Sequence, residues 1–296
     1  MTYRNNSVRV ASVALVLTLS ACGGGGGSSG GGGLVSMPPP PPPPPNSSAV
    51  DIFASPATQE FAVISVGDNV RIRYDAPTNK YEVMAGSQAW KTLVDDPSHS
   101  PLAGNPNTSF VMSGSPSYFR IGAHRDYPEQ SVQYHHSNLA YWADGLLSGV
   151  AAFGILTPAG GVPVTGSATY QGTFGGIATE TYPDDWSGED VPGFIQGAIN
   201  LTFDFGGGSL SGSISPSLYL GDYHSLGTLN FANTVYSSGS TNFSGAFDTP
   251  LTGANSFAGR FTGPNAQELI GNFAFPYLSP IDGLAQEAEG AFIAKR

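Results

Sequence analysis

Side chains suited to chemistry are sparse in this sequence, and their spacing limits what they could do. The densest group is Tyr182-Pro183-Asp184-Asp185-Trp186-Ser187-Gly188-Glu189-Asp190, an acid cluster around a tryptophan. Tyr182, Asp184, Asp185 and Trp186 are expected to touch a partner, because binding hot spots use aromatic anchors and loops on rigid scaffolds carry function. The competing reading is a solvated turn with Trp186 folded back on its scaffold. The acids lack the spacing of an EF-hand loop, so solvation rather than calcium or paired-acid catalysis is expected of them. His135 and His136 are adjacent, and neighbours in a strand point to opposite faces, so they share no metal without a bend. His99, His124 and His224 supply no spaced second pair, and no metal site is expected. Gly26-Gly27-Ser28-Ser29-Gly30 has the G-x-S-x-G spacing of a hydrolase nucleophile, but that chemistry needs a strained strand-to-helix turn, which polyglycine cannot supply. The sequence has no Walker loop, dinucleotide fingerprint or zinc-protease helix, so neither catalysis nor a cofactor is expected.

The lone cysteine, Cys22, has a different chemistry. Residues 1–9 carry Arg4 and Arg9 and no acid, and an apolar run from Val10 to Leu19 follows, shorter than the ~20 residues of a membrane span. This is the pattern of a signal peptide over residues 1–21. Leu19-Ser20-Ala21-Cys22 resembles the lipobox of bacterial lipoproteins, which implies diacylglycerol on the Cys22 thiol and cleavage just before it. Several acyl chains at ~0.8 kcal/mol per buried methylene give stable anchoring. Gly23 stands where an Asp would resemble an inner-membrane retention signal, so the expected location is the outer membrane, with the cell surface as the presenting face. The covalent lipid is the only non-protein group expected.

Charged residues are 11% of the chain and the net charge is −11, which leaves no cation cluster to release counterions from nucleic acid. An acidic surface is also repelled by anionic head groups, so membrane attachment falls to the lipid. Residues 23–33 contain only Gly and Ser, a flexible spacer, and Pro38 to Pro45 form a polyproline rod of about 25 Å. Residues 22–48 are therefore a tether that lifts a domain off the membrane.

With 40 Gly and 24 Pro among 296 residues, the composition suits strands and turns. Residues 49–136 read as a small β-rich handle domain. Its clearest part is a hairpin, Asn69 to Tyr74 and Lys80 to Met84, in which Val70, Ile72 and Tyr74 alternate with Arg71 and Arg73. From Ser137 to the end, an aromatic–x–Gly–x–aromatic pattern recurs at Tyr170-Gln171-Gly172-Thr173-Phe174, Phe243-Ser244-Gly245-Ala246-Phe247 and Phe257-Ala258-Gly259-Arg260-Phe261. Those three positions share a face, so each glycine leaves room for curvature beneath neighbouring rings. Strand spacing gives roughly eight strands over residues 137–296, a closed antiparallel β-barrel. Gln171, Thr173, Asn200, Thr202, Asp204 and Arg260 fall on the opposite face, so the aromatics point inward and the barrel is a soluble one rather than a membrane-spanning one.

Four stretches resemble the barrel lobe of transferrin-binding protein B and related surface lipoproteins. They are Phe153-Gly154-Ile155-Leu156-Thr157-Pro158, Val162 to Gly172, Phe257 to Phe261, and Phe261-Thr262-Gly263-Pro264-Asn265-Ala266-Gln267-Glu268 continuing to Gly271-Asn272-Phe273. The last is the most specific, a strand, a Gly-Pro turn, a short Ala-Gln-Glu helical turn and a second strand. The resemblance implies an eight-stranded barrel beside a handle and a binding, non-catalytic role. The full receptor of that family has two such lobes and this chain has one, without a matching partner-contact loop. The expected partner is accordingly a protein, such as a host or secreted iron- or nutrient-carrying protein, captured by barrel loops or handle. The alternatives are a carrier holding a small apolar ligand inside the barrel, and a structural envelope lipoprotein. An empty apolar interior would favour the carrier; a filled barrel with an exposed apolar loop patch would favour partner binding.

Overall fold

Alternation with a period of two runs through the chain, and strands follow it. The computed structural model describes residues 59–75, 77–78, 80–95, 109–112, 118–121, 134–145, 147–183 and 189–296. Cys22, the expected signal peptide and the tether lie outside the described residues. So do Asp184, Asp185 and Trp186.

Nine strands form a first antiparallel sheet: β1 (Gln59–Glu60), β2 (Ala62–Gly67), β3 (Val70–Asp75), β4 (Lys80–Ala85), β5 (Lys91–Asp95), β6 (Ser109–Met112), β7 (Tyr118–Ile121), β8 (Ser137–Asp144) and β9 (Leu147–Gly154). Their order is β1-β3-β4-β5-β6-β7-β8-β9-β2. The two edges meet in one stretch of chain. Gln59 and Glu60 pair with Tyr74 and Arg73, the Phe61 amide donates to the Ile72 carbonyl at 3.0 Å, and Ala62–Gly67 then pair with β9. The sheet closes over Phe61, Ile72, Val83, Phe119, Trp142 and Phe153. The expected hairpin is β3–β4, and Arg73 faces Glu82 across it with a 2.7 Å ion pair. Both Arg71 and Arg73 lie over the Trp90 ring, at 5.2 and 4.2 Å from its centroid.

The second sheet holds β10 (Ser167–Pro183), β11 (Asp190–Asp204), β12 (Ser209–Tyr219), β13 (Tyr223–Ser225), β14 (Leu229–Val235), β15 (Asn242–Phe247), β16 (Ser256–Thr262), β17 (Glu268–Leu278) and β18 (Ala285–Lys295). The order β11-β10-β18-β17-β16-β15-β14-β12 closes on itself through β11–β12, and β13 is a short flap on β12. Eight strands thus make a complete hydrogen-bonded ring, as expected. The change of sheet falls between Gly154 and Ser167, however, not at 136/137. β8 and β9, assigned to the barrel from the sequence, pair with β7 and β2 in the first sheet. The sequence misleads there because Ser137–Gly154 reads as two apolar strands around Asp144-Gly145, and nothing in one dimension says which sheet they enter.

The ring interior is filled by aromatics. Tyr170, Phe174, Phe203, Phe243, Phe261 and Phe273 all belong to one buried cluster. Rings meet across the barrel at centroid distances of 4.8 Å for Phe203–Phe261, 5.0 Å for Phe174–Phe273 and 5.1 Å for Phe203–Phe243. Glycines make this packing possible. Gly245 stands opposite Phe257, Gly259 opposite Phe243, Gly271 opposite Phe292 and Gly290 opposite Phe273. In each pair the ring lies over the glycine, and a Cβ added there would come within 2.1–2.6 Å of the ring's Cζ. This is the aromatic cover over strand glycines that lets a sheet curl tightly. Of the residues expected on the solvent face, Gln171, Asn200, Thr202, Asp204 and Arg260 are exposed, whereas Thr173 is buried. Thr173 pairs with Ile293, and that part of the outer wall lies beneath the first sheet.

The two sheets share a third buried cluster: Leu139, Val150 and Ala152 from one, and Ile270, Ala291 and Ile293 from the other. The Tyr141 hydroxyl occupies the position a Cβ on Gly175 would take, and its ring packs on Phe194 at 5.1 Å.

Candidate binding site

Antiparallel order sorts the connections onto two ends of the ring. One end, here the seam end, gathers the approach to β10, the β16–β17 turn and the last residues of β18. The Phe261–Phe273 motif sits here and acts as a clasp. Pro264–Ala266 form a single 3₁₀ turn, entered through Gly263 at φ 72°. Glu268, expected within the helical turn, is instead the first residue of β17, 3% exposed. Its carboxylate accepts the His135 amide at 2.7 Å, the His136 amide at 3.0 Å and the Ser137 hydroxyl at 2.7 Å. The His136 ring meets Gln267 Oε1 at 3.1 Å and lies where a Cβ on Gly263 would stand. The Thr157 hydroxyl donates to the Gly263 carbonyl at 2.8 Å, and the Tyr170 hydroxyl donates to the Ala266 carbonyl. The histidine pair therefore serves the joint between sheets. Among the described residues no three metal-ligating side chains converge.

The opposite end, here the mouth, gathers the connections 184–189, 220–228, 248–255 and 279–284. Tyr182, the one described member of the expected binding group, lies here near the tip of β10, paired with Val191. The β10–β11 hairpin outreaches its neighbours, since β18 pairs with β10 only as far as Ala178 and β12 pairs with β11 only from Phe194. Tyr182 packs edge-on against Tyr219 at 5.5 Å, and Tyr219 against Tyr223 at 4.9 Å. The structure thus ties Tyr182 to the β12–β13 flap. The loop it introduces, with Asp184, Asp185 and Trp186, lies outside the described residues.

The β17–β18 turn, which the sequence reading passed over, carries the mouth's most exposed aliphatics. Leu278, Ile281 and Leu284 are 53%, 67% and 61% exposed. They are held there by a tight turn. The Ser279 hydroxyl accepts the Ile281 and Asp282 amides at 3.0 and 3.2 Å, the Ser279 amide donates to the Leu284 carbonyl at 2.8 Å, and Gly283 takes φ 74°. Glu180 on β10 braces the turn, accepting the Ser279 hydroxyl at 2.7 Å and the Tyr277 hydroxyl at 3.2 Å. Burial, reinforced by the Glu180 charge, keeps the Tyr277 phenol well above its ordinary pKa. Beside the turn, Leu226, Leu229, Leu251, Phe275, Tyr277 and Pro280 line an apolar groove of about 360 Å³. The available signal was Leu278-Ser279-Pro280-Ile281-Asp282-Gly283-Leu284 itself, an aliphatic turn in a chain whose other turns are mostly Gly, Ser, Thr and Asn.

Charge is segregated along the barrel. No Lys or Arg occurs between Arg125 and Arg260, and the barrel's three cations lie toward the seam end, Arg260 in β16, Lys295 at the end of β18 and Arg296 just beyond it. The mouth carries Glu189, Asp190, Asp222, Asp248, Asp282 and Glu287, all exposed.

Residues 162–296 match the family described as C-lobe and N-lobe beta barrels of Tf-binding protein B, a stretch that takes in the whole eight-stranded ring. None of the curated proteins matches this chain. Among solved structures, the chain is similar to isotype 1 transferrin binding protein B from serogroup B Neisseria meningitidis, at 14% identity over 81% of this chain and 43% of that one, with a TM-score of 0.43. It is similar to a double mutant of transferrin binding protein B from Haemophilus parasuis, at 14% identity over 82% and 54%, with a TM-score of 0.38. It is also similar to a surface lipoprotein, at 16% identity over 79% of this chain and 98% of that one, with a TM-score of 0.37. The chain spans about half the length of the two transferrin binding proteins. Over residues 162–296, then, the chain carries a β-barrel of the transferrin-binding protein B type.

Proposed function

We propose that the protein is a surface lipoprotein, anchored through Cys22, that binds a protein partner at the mouth of its barrel and catalyses no reaction. The observation that carries this reading is the pairing of a filled barrel with an ordered apolar surface at one end. A carrier needs interior space, and the interior here is packed ring against ring. A partner-binding module needs exposed apolar surface on a rigid support, and Leu278, Ile281 and Leu284 supply it. The relatives' names support the class of partner, since transferrin is an iron-carrying protein. For this chain the partner is a host or secreted protein that carries iron or another nutrient. Lipidation draws on Leu19-Ser20-Ala21-Cys22, and the Gly/Pro tether gives the reach that surface capture requires.

The test is protease shaving of intact cells expressing wild type or Cys22→Ala, with labelled fatty acid to follow the anchor and a periplasmic protein as control. Label on wild type alone and loss of wild type to external protease are the expected results. Equal membrane retention of Cys22→Ala, or protection of wild type until the envelope is opened, would contradict the anchor or the surface location respectively. Denaturing extraction followed by mass spectrometry separates the binding reading from the carrier reading: one small apolar molecule per chain would replace the former with the latter.

A further inference from the structure

The mouth combines two surfaces that seldom meet without a reason: a rigid aliphatic ridge with an apolar groove beside it, and a surround of carboxylates with no cation in any of its loops. Asp282 sits on the ridge itself, one residue from Ile281, Asp222 stands in the β12–β13 flap, and Asp248 immediately precedes Thr249, which lines the groove. An apolar patch rimmed by charge of one sign selects among apolar partners, because like charges repel across a closing contact while opposite charges steer approach. The ridge needs no ordering on binding, since the Ser279 hydroxyl, accepting the Ile281 and Asp282 amides and donating to Glu180, already fixes it, so its apolar area is available for affinity.

We infer that the mouth of the barrel accepts a basic protein segment that places one or two aliphatic or aromatic side chains into the groove beside Leu278, Ile281 and Leu284, with Lys or Arg flanking them toward the carboxylates. This rests on the partner-binding reading above and adds the partner's chemistry to it. Anionic membrane is disfavoured as the occupant by the same carboxylates, since they would face lipid head groups of their own sign.

The test uses the chain from residue 22 with Cys22→Ser, carrying labelled Ile and Leu methyl groups, so that Ile281, Leu278 and Leu284 report directly by NMR. The probes are three peptides of equal length, alternating Lys/Leu, Glu/Leu and Lys/Ser, together with phosphatidylcholine vesicles. The expected result is saturable shifts of those three residues' methyls with Lys/Leu alone, and an affinity about tenfold weaker, read at Leu278, in Ile281→Ser with Leu284→Ser. Those positions are solvent-exposed, so the double variant should keep the wild-type spectrum elsewhere. Equal binding of Glu/Leu or Lys/Ser, shifts confined to other methyls, no binding of Lys/Leu, or broadening of the three methyls by vesicles would each overturn the inference. Failure here alongside protein cross-links from Ile281 in cells would remove only the partner's assigned chemistry; failure of both would remove the partner-binding reading as well.

Discussion

Glu268 shows how much of the molecule hangs on one carboxylate. It is buried at the joint and accepts three donors from His135, His136 and Ser137, two of them backbone amides. Charge-assisted hydrogen bonds are each worth about 1.5–3 kcal/mol, and donors left unmet in a buried site cost more than their mean worth. Glu268→Ala is expected to lower stability by roughly 3 kcal/mol, read as a drop in urea midpoint. Glu268→Gln should recover only part of the loss, because its amide nitrogen would face a donor. An unchanged midpoint in Glu268→Ala would show that the joint is held by its apolar contacts alone. Tyr141 gives a pH signature of the same joint. Burial pushes its phenol above the ordinary value of 10.0. The unfolded chain therefore loses this proton first, so the associated stability is full below pH 10 and declines as pH rises beyond it. Tyr141→Phe is expected to flatten that decline in urea midpoints compared between neutral and strongly alkaline pH. Parallel declines in the two proteins would place the alkaline sensitivity elsewhere.

At the scale of elements, the barrel is built from cross-strand pairs of glycine and phenylalanine. Gly245 is the most informative, because an added Cβ would meet the Phe257 ring at 2.6 and 2.7 Å but the nearest backbone atom only at 3.1 Å. Gly245→Ala should destabilise the barrel by about 1–3 kcal/mol through overpacking. In combination with Phe257→Leu the two losses should sum to less than their separate values, since shortening the ring vacates the space the methyl needs. Strict additivity in a double-mutant cycle would deny that the ring covers the glycine. These strands were legible in the sequence because the aromatic–x–Gly–x–aromatic pattern at Tyr170, Phe243 and Phe257 encodes both the inward face and the curvature. The boundary between sheets was not legible. Local sequence identifies a strand but not its partner, so β8 and β9 read like barrel strands until their pairing with β7 and β2 is known. Thr173 was misplaced for a related reason: a polar residue on the outward face is solvent-facing only where nothing packs outside, and here β9 and β2 do.

At the scale of the whole molecule, the two ends of the barrel divide the work. At the seam end the β16–β17 turn serves the joint to the first sheet, and the mouth carries the apolar ridge and the carboxylates. Of the residues singled out from the sequence, Tyr182 lies at the mouth, whereas the ridge was passed over. Leu278 ends β17 and Ile281 and Leu284 follow in the turn to β18; Pro280 and Asp282-Gly283 mark that turn in the sequence, but not which way its aliphatics face. Only the Ser279 turn and the exposure of all three show that they face solvent.

The most direct measurement is site-specific photo-cross-linking in living cells, in the native medium, with the photoreactive residue at Ile281 on the mouth or at Ser238, an exposed position in the β14–β15 turn at the seam end. A protein adduct from Ile281 and none from Ser238 is the expected result. Adducts from Ser238 alone, or from neither position while the protein is surface-exposed, would contradict the assignment of the mouth as the binding surface.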